Sequence, residues 1–283
     1  MRLHQRVFII ISAILLFTCT GCNKQSGQEG IAVPKEDCQI TFFDTGKSDC
    51  ILIEVDDMVI MNDTADEDDY ALIQKTLNDK QISRIDYMII SHFDKDHIGS
   101  AAKLIEQNEV GCVLMPGYWE DSDEYRAMID AIQAKGIEKK VPESDFELTT
   151  ADGIIEINVP QESIYEDDNN YSLITTVTYK GHSVLLMGDA LKNRTEEFMT
   201  AVSPTEGQYD LIKTPHHGDY NKKLKNLFGT VKPQYAVITD SSDEKRVEEK
   251  LVSMLEEEQC EILYTYNGTI TVVLDNAGVH VKQ

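Results

Sequence analysis

The stretch His92-Phe93-Asp94-Lys95-Asp96-His97-Ile98-Gly99 constrains this chain more than any other, because it sets four ligand-type side chains within six residues. It follows Ile85–Ile90, a run that is apolar apart from Asp86 and reads as a strand buried on both faces. Rigid backbone at a strand end aims side chains into a shared cleft. Two imidazoles among carboxylates suit zinc, manganese or iron, which accept mixed nitrogen and oxygen donors. The bland alternative is a solvated acidic turn with incidental histidines. Against it, two of the seven histidines in the chain fall in this one segment.

The same arrangement recurs twice. Ser183–Met187 is an apolar strand running into Gly188, which permits close approach, and then Asp189, a carboxylate able to bridge two ions with one oxygen on each. Leu211–Lys213 runs through Thr214-Pro215 into His216-His217-Gly218. Adjacent histidines point in different directions, so one can ligate while the other contacts substrate. Each of these two segments alone is weak, a turn or a surface loop. Three apolar strands that each end in ligand-type residues are far more specific.

These segments resemble the metallo-β-lactamase superfamily, whose signature is HxHxDH, and within it the hydrolase domain of the ComEC competence proteins. Phe43-Asp44-Thr45-Gly46-Lys47-Ser48-Asp49 is similar to the D-V-G-Q-G-D turn of that branch, His92–Gly99 to its H-x-x-x-D-H-x-G run, and Asn169-Asn170-Tyr171-Ser172-Leu173 to its Asn-rich segment. Gly188-Asp189 and Pro215–Gly218 complete the set, and the match runs from about Gln39 to Thr239. The resemblance implies a centre of one or two divalent ions, zinc first and manganese second. Its ligands would be His92, Asp94, Asp96, His97, Asp189 and one of the His216–His217 pair. His216 is assigned to metal, while Asp96 and His217 are assigned to catalysis, with water as the nucleophile. Asp63 falls where the family orients a ligand histidine. This chain departs from the pattern in having Asp94 for the second histidine, which makes that site harder and richer in oxygen. It also has no histidine near Asn170, and no S-x-x-x-H-P element after Thr239.

The order of elements fits this fold. Short β-rich runs at Gln39–Phe43, Cys50–Val55 and Met58–Asn62 read as hairpin strands. Helices are expected at Tyr70–Leu77, Ile98–Glu106 and Glu124–Ala134, with a strand at Cys112–Met115. A second half repeats the scheme with strands at Ile154–Val159, Ser172–Tyr179, Ser183–Met187, Leu211–Lys213 and Tyr235–Thr239, and helices at Glu196–Val202 and Asp243–Glu258. Two last strands, Glu261–Tyr266 and Thr269–Leu274, are expected to form a hairpin through Asn267-Gly268. Strands, helices, and the same order again indicate an α/β fold, an αββα sandwich of two mixed sheets with helices outside.

The N-terminus reads separately. Arg2 and Arg6 precede an apolar run, Val7–Phe17, then Cys19-Thr20-Gly21-Cys22. This order marks residues 1–21 as a lipoprotein signal with lipid on Cys22, residues 22–37 as a tether, and residues 38–283 as the hydrolase domain on the outer side of a bacterial membrane. Cys50 and Cys112 lie in apolar runs as core residues, and no C-x-x-C pair supports a thiolate zinc site.

Charge sorts the partners. Acidic residues outnumber basic ones 50 to 26, for a net charge of −24, and Trp119–Tyr125 adds Glu120, Asp121, Asp123 and Glu124 near the expected cleft. Long nucleic acid is repelled by such a surface, whereas a small or terminal phosphodiester can still bind where ions dominate the local field. The main expectation is therefore a metal-dependent phosphodiesterase. Its alternatives are a hydrolase of a small ester, lactone or choline-phosphate group of the envelope, and a lipoprotein that binds metal or ligand without catalysis.

Overall fold

In the computed structural model the described residues are 37–240 and 247–283. Strands β1 (Cys38–Phe42), β2 (Ile51–Val55) and β3 (Met58–Asn62) pair antiparallel in chain order, with Ile40 opposite Ile53 and Ile53 opposite Ile60. Beyond them the sheet turns parallel through β4 (Arg84–Ile89), β5 (Glu109–Leu114) and β6 (Glu138–Lys140). Parallel neighbours need crossovers, and helices α1 (Tyr70–Asp79), α2 (Lys95–Ile98), α3 (Ala101–Gln107) and α4 (Asp123–Lys135) lie along these connections. Helix α4 is capped at both ends. Ser122 Oγ accepts from Tyr125 N at 3.2 Å, and Gly136 closes the other end in the left-handed region.

The second sheet begins with antiparallel β7 (Phe146–Thr149), β8 (Gly153–Asn158), β9 (Ile174–Tyr179) and β10 (His182–Leu186). It continues in parallel through β11 (Leu211–Lys213), β12 (Tyr235–Ile238) and β13 (Glu261–Tyr264). Helices α5 (Lys192–Val202), α6 (Lys222–Val231) and α7 (Glu249–Glu257) cover it. Side chains on a strand alternate between faces, which gives three apolar layers. Val184 and Leu186 join Ile40, Ile53 and Ile89 between the sheets, while Leu185 packs outward with Phe198 and Phe228. On the opposite outside, Met88 and Val113 pack with Ile73, Leu104 and Met128. The result is the expected αββα sandwich of two mixed sheets.

The expected terminal hairpin does not form. Strand β13 pairs only with β12 among the described residues, whereas β14 (Ile270–Asp275) crosses to the other sheet and pairs with β1 and with β15 (Gly278–Lys282). Asn267-Gly268 therefore links the sheets. Thr265–Asn267 forms a single tight turn, and Gly268 follows at φ 126°, ψ 163°, a conformation essentially reserved for glycine. Long-range burial overrides the local turn signal, since Ile270, Val272 and Leu274 bury between the sheets with Ile40 and Phe42. Helix α6 was absent from the sequence reading, although Leu224, Leu227, Phe228 and Val231 have the helical i, i+3, i+4, i+7 spacing and are all buried. Helix α7 starts at Glu249, and residues 243–246 of the longer expected helix lie outside the described residues. So do the signal and nearly all of the tether read at the N-terminus, including Cys22. No helix among the described residues is long and apolar enough to cross a membrane.

Candidate metal centre

Parallel pairing puts strand C-termini at one edge. In the first sheet, β3 and β4 end at Asp63 and His92. In the second, β10, β11 and β12 lead to Asp189, His217 and Thr239. Three imidazole nitrogens converge there on one carboxylate oxygen. Asp189 Oδ2 lies 3.9 Å from His92 Nε2, 3.3 Å from His97 Nε2 and 3.2 Å from His217 Nε2. All four side chains are buried, and among the described residues none of the three Nε2 atoms has a hydrogen-bond partner. Asp96 reaches the same point from α2, with Oδ2 3.4 Å from His217 Nε2.

The far side of each ring is tied down. Asp63 Oδ2 lies 3.0 Å from His97 Nδ1, and its two oxygens accept from Ser91 N and Ser91 Oγ, each at 2.7 Å. Because the Ser91 hydroxyl proton goes to Asp63, its oxygen is left to accept from His92 Nδ1 at 3.0 Å. The other sheet repeats the device. Thr239 Oγ1 donates to Asp49 Oδ1 at 2.6 Å and so is left to accept from His217 Nδ1 at 3.2 Å. With Nδ1 held by its own acceptor, each Nε2 is the nitrogen aimed at the cluster, and it offers its lone pair when an ion takes the place of its proton. Buried polar atoms without partners are costly in a protein interior. This donor set fits a divalent ion of the zinc, iron or manganese group.

The local charge has the same sign. Burial disfavours a charged His97, yet the Asp189 and Asp63 carboxylates outweigh it and hold the imidazolium well above the ordinary histidine range. At His217 burial again opposes protonation, and Asp189 and Asp49 nevertheless lift it to about 9. Burial would neutralise Asp189, but His217 and His97 keep its carboxyl well below the usual range. Lys213 is fully buried and ion-paired with Asp49, and its Nζ lies 3.8 Å from Asp189 Oδ1. Oδ2 of Asp189 faces the three imidazoles, and Oδ1 faces Lys213.

The members of the histidine pair have distinct placements. His217, assigned to catalysis, stands in the ring of ligand-type atoms. His216, assigned to metal, turns away, with Nδ1 3.0 Å from Asp219 Oδ2 and its side chain partly exposed. Both residues have positive φ, 48° and 54°, and this double left-handed step sends the two rings apart. Asp94 is about half exposed, and among the described residues its ion-pair contact is with His92 Nε2, at 3.6 Å. The Asn169–Asn170 segment brings no ligand. Asn170 Oδ1 instead accepts from Arg194 N at 3.2 Å, on a buried arginine that also holds Ser172 O. Sequence reasoning missed Lys213 and Thr239. Lysine inside a short apolar strand, immediately before the histidine loop, was the available signal for the first.

The sequence model of the family described as the metallo-beta-lactamase superfamily matches residues 43–238. The chain belongs to this superfamily. Within the metallo-beta-lactamase superfamily it is 24% identical over 197 residues to ComE operon protein 3 of Bacillus subtilis, covering 69% of this chain and 25% of that protein. It is also 24% identical over 211 residues to competence protein ComA of Neisseria gonorrhoeae, covering 73% and 27%. The chain thus spans about a quarter of the length of these relatives. Among solved structures, the metallo-beta-lactamase fold protein YhfI from Bacillus subtilis superimposes with a TM-score of 0.55 at 13% identity, covering 83% of this chain and 100% of that one. Igni18, a metallo hydrolase from Ignicoccus hospitalis, gives 0.51 at 15%, covering 83% and 98%. Superfamily membership assigns the chain to the metal-dependent hydrolases.

One prediction arises from how the metallo-beta-lactamase site is built. Gly188 has φ +53°, and a Cβ there would lie 2.8 Å from Ser91 Cβ and 3.1 Å from Ser172 Oγ. Gly188→Ala is expected to cost about 2 kcal/mol or more through strain and overlap. By displacing Ser91 it also loosens the Asp63 relay. Urea unfolding of the variant beside wild type measures the loss.

Proposed function

We propose that this chain is an extracytoplasmic, lipid-anchored hydrolase that cleaves a small or terminal phosphodiester with water at the His92–His97–Asp189–His217 centre. The observation that carries this reading is the convergence of three buried, partnerless imidazole Nε2 atoms on Asp189 Oδ2, with Asp96 alongside. His92, His97, His217, Asp189 and Asp96 are the residues that hold the ion, zinc in the first instance and manganese in the second. When bound, a divalent ion supplies Lewis acidity and makes water nucleophilic near neutral pH. The chain's own residues do the rest. Asp63 and Asp49 keep the imidazoles in the ligating tautomer through Nδ1. Asp96 is half buried, with its carboxyl held far below the usual range by His217 and His97 against the pull of burial. It stays ionised and accepts a hydrogen bond from the attacking water.

The competence proteins among the relatives favour a phosphodiester, and the net charge of −24 favours a small one. A phosphodiester is also better matched than a neutral ester to a cationic centre. The test is the purified full-length chain, loaded with zinc or manganese, assayed against chromogenic phosphodiesters, carboxyl esters and lactones, with gel-shift titration of random duplex DNA alongside. Turnover of the phosphodiester with weak DNA binding is expected. Sub-micromolar DNA binding would restore a nuclease acting on long substrates, and ester turnover alone would move the reading to an envelope esterase.

The membrane attachment rests on the Arg2/Arg6, apolar-run and Cys22 order. Mass spectrometry of the membrane fraction is expected to find Cys22 acylated as the first residue. An unmodified chain starting at Met1 would refute it.

A further inference from the structure

The loop between β1 and β2 brings a cation to the edge of the centre. Gly46 turns the chain at φ +61°, and Asp49 N donates to Asp96 O at 3.0 Å, which docks this loop on α2. Lys47 Nζ then lies 3.1 Å from Asp96 Oδ2, the same oxygen that stands 3.4 Å from His217 Nε2. The Lys47 side chain is 28% exposed and that of Asp96 21%, so the pair sits where the ring of ligand-type atoms opens to solvent.

The setting gives this lysine work beyond an ordinary surface pair. Lys213, the other lysine at the centre, is sealed inside and taken up by Asp49 and by Gly188 O. Asp94 and Asp219, also partly exposed near the ring, are carboxylates that repel an incoming anion. An ammonium has three donors, and among the described residues Asp96 engages one of them. At 28% exposure the ammonium stays open to solvent beside Asp96, whose Oδ2 also neighbours His217.

We propose that Lys47 binds an anionic oxygen of the substrate at the mouth of the centre and sets a preference for phosphoryl over uncharged ester substrates. The inference rests on the hydrolase reading above and names the substrate class of that same site. A charge-assisted hydrogen bond from a fixed donor changes affinity by about 10- to 100-fold. That is the size of effect assigned to Lys47.

The experiment titrates inorganic phosphate into the full-length, zinc-loaded chain by calorimetry, for wild type, Lys47→Gln and Lys47→Arg, with zinc content measured on each sample. The ratio of kcat/KM for bis(p-nitrophenyl) phosphate to that for p-nitrophenyl acetate is measured on the same samples. Lys47→Gln is expected to weaken phosphate binding about 10- to 100-fold at full zinc loading and to lower the ratio about tenfold or more, with Lys47→Arg restoring both. Unchanged phosphate affinity in Lys47→Gln overturns the proposal. So does a loss of phosphate binding that only tracks lost zinc, because Lys47 would then be a structural partner of Asp96. If wild type turns over neither substrate, the hydrolase reading fails, while the phosphate titration still decides the role of Lys47.

Discussion

Asp189→Ala is expected to strip the centre of metal and abolish hydrolysis. Asp189 Oδ2 is the one atom that all three buried imidazole nitrogens approach, within 3.2–3.9 Å. Its removal takes away the central anion and leaves His97 and His217 facing a void. The residues that merely orient ligands typically cost 10–100-fold in metal affinity when lost, and a shared ligand is expected to cost about a thousandfold or more. Lys213 remains paired with Asp49, so the variant keeps its buried cation neutralised and should fold. Asp94→Ala is the contrast, since Asp94 is half exposed and its one ion-pair contact among the described residues is with His92. Elemental analysis of the two purified variants, with circular dichroism to check folding, decides the point. Equal metal content in both would remove Asp189 from its central role.

The second large effect separates two adjacent histidines. His217→Ala is expected to lower metal content and activity about 100-fold or more, because its Nε2 faces both Asp189 and Asp96 while its Nδ1 is held by Thr239. His216→Ala should retain its metal, since its ring pairs with Asp219 outside the ring of ligand atoms. Any loss in His216→Ala should fall on turnover, as for a residue that contacts substrate. Metal titration of the two variants with a chromogenic chelator as competitor reports the difference. Loss of metal from His216→Ala with retention by His217→Ala would reverse the assignment.

Residue pattern alone carried much of this molecule. The apolar strands ending in His92, Asp189 and His216–His217 were legible because the amino-acid alphabet marks both strand burial and metal chemistry, and β4, β10 and β11 lie where those runs do. The choice between His216 and His217 was illegible. It depends on two successive left-handed backbone steps, a conformation that even histidine, one of the side chains more tolerant of it, adopts too rarely to be read from sequence. Lys213 and Thr239 escaped for a different reason. Their roles come from neighbours on other strands, Asp49 190 residues from Thr239 among them, and only the assembled sheets bring those together. Asn267-Gly268 misled because a strong local hairpin signal competed with a stronger distant one, the burial of β14 against β1.

That β1–β14 pairing also sets a timetable for biogenesis. Cys38 lies opposite Leu274 and Phe42 opposite Ile270, so β1 waits for a partner strand made much later in the chain. Until then the meander of β1 to β3 can form, but β1 keeps an open, hydrogen-bond-hungry flank. Contacts of such sequence separation form slowly, and an exposed strand flank of this kind invites pairing with other chains. Holdase chaperones that shield β1 should therefore raise the yield of active protein more than faster synthesis does.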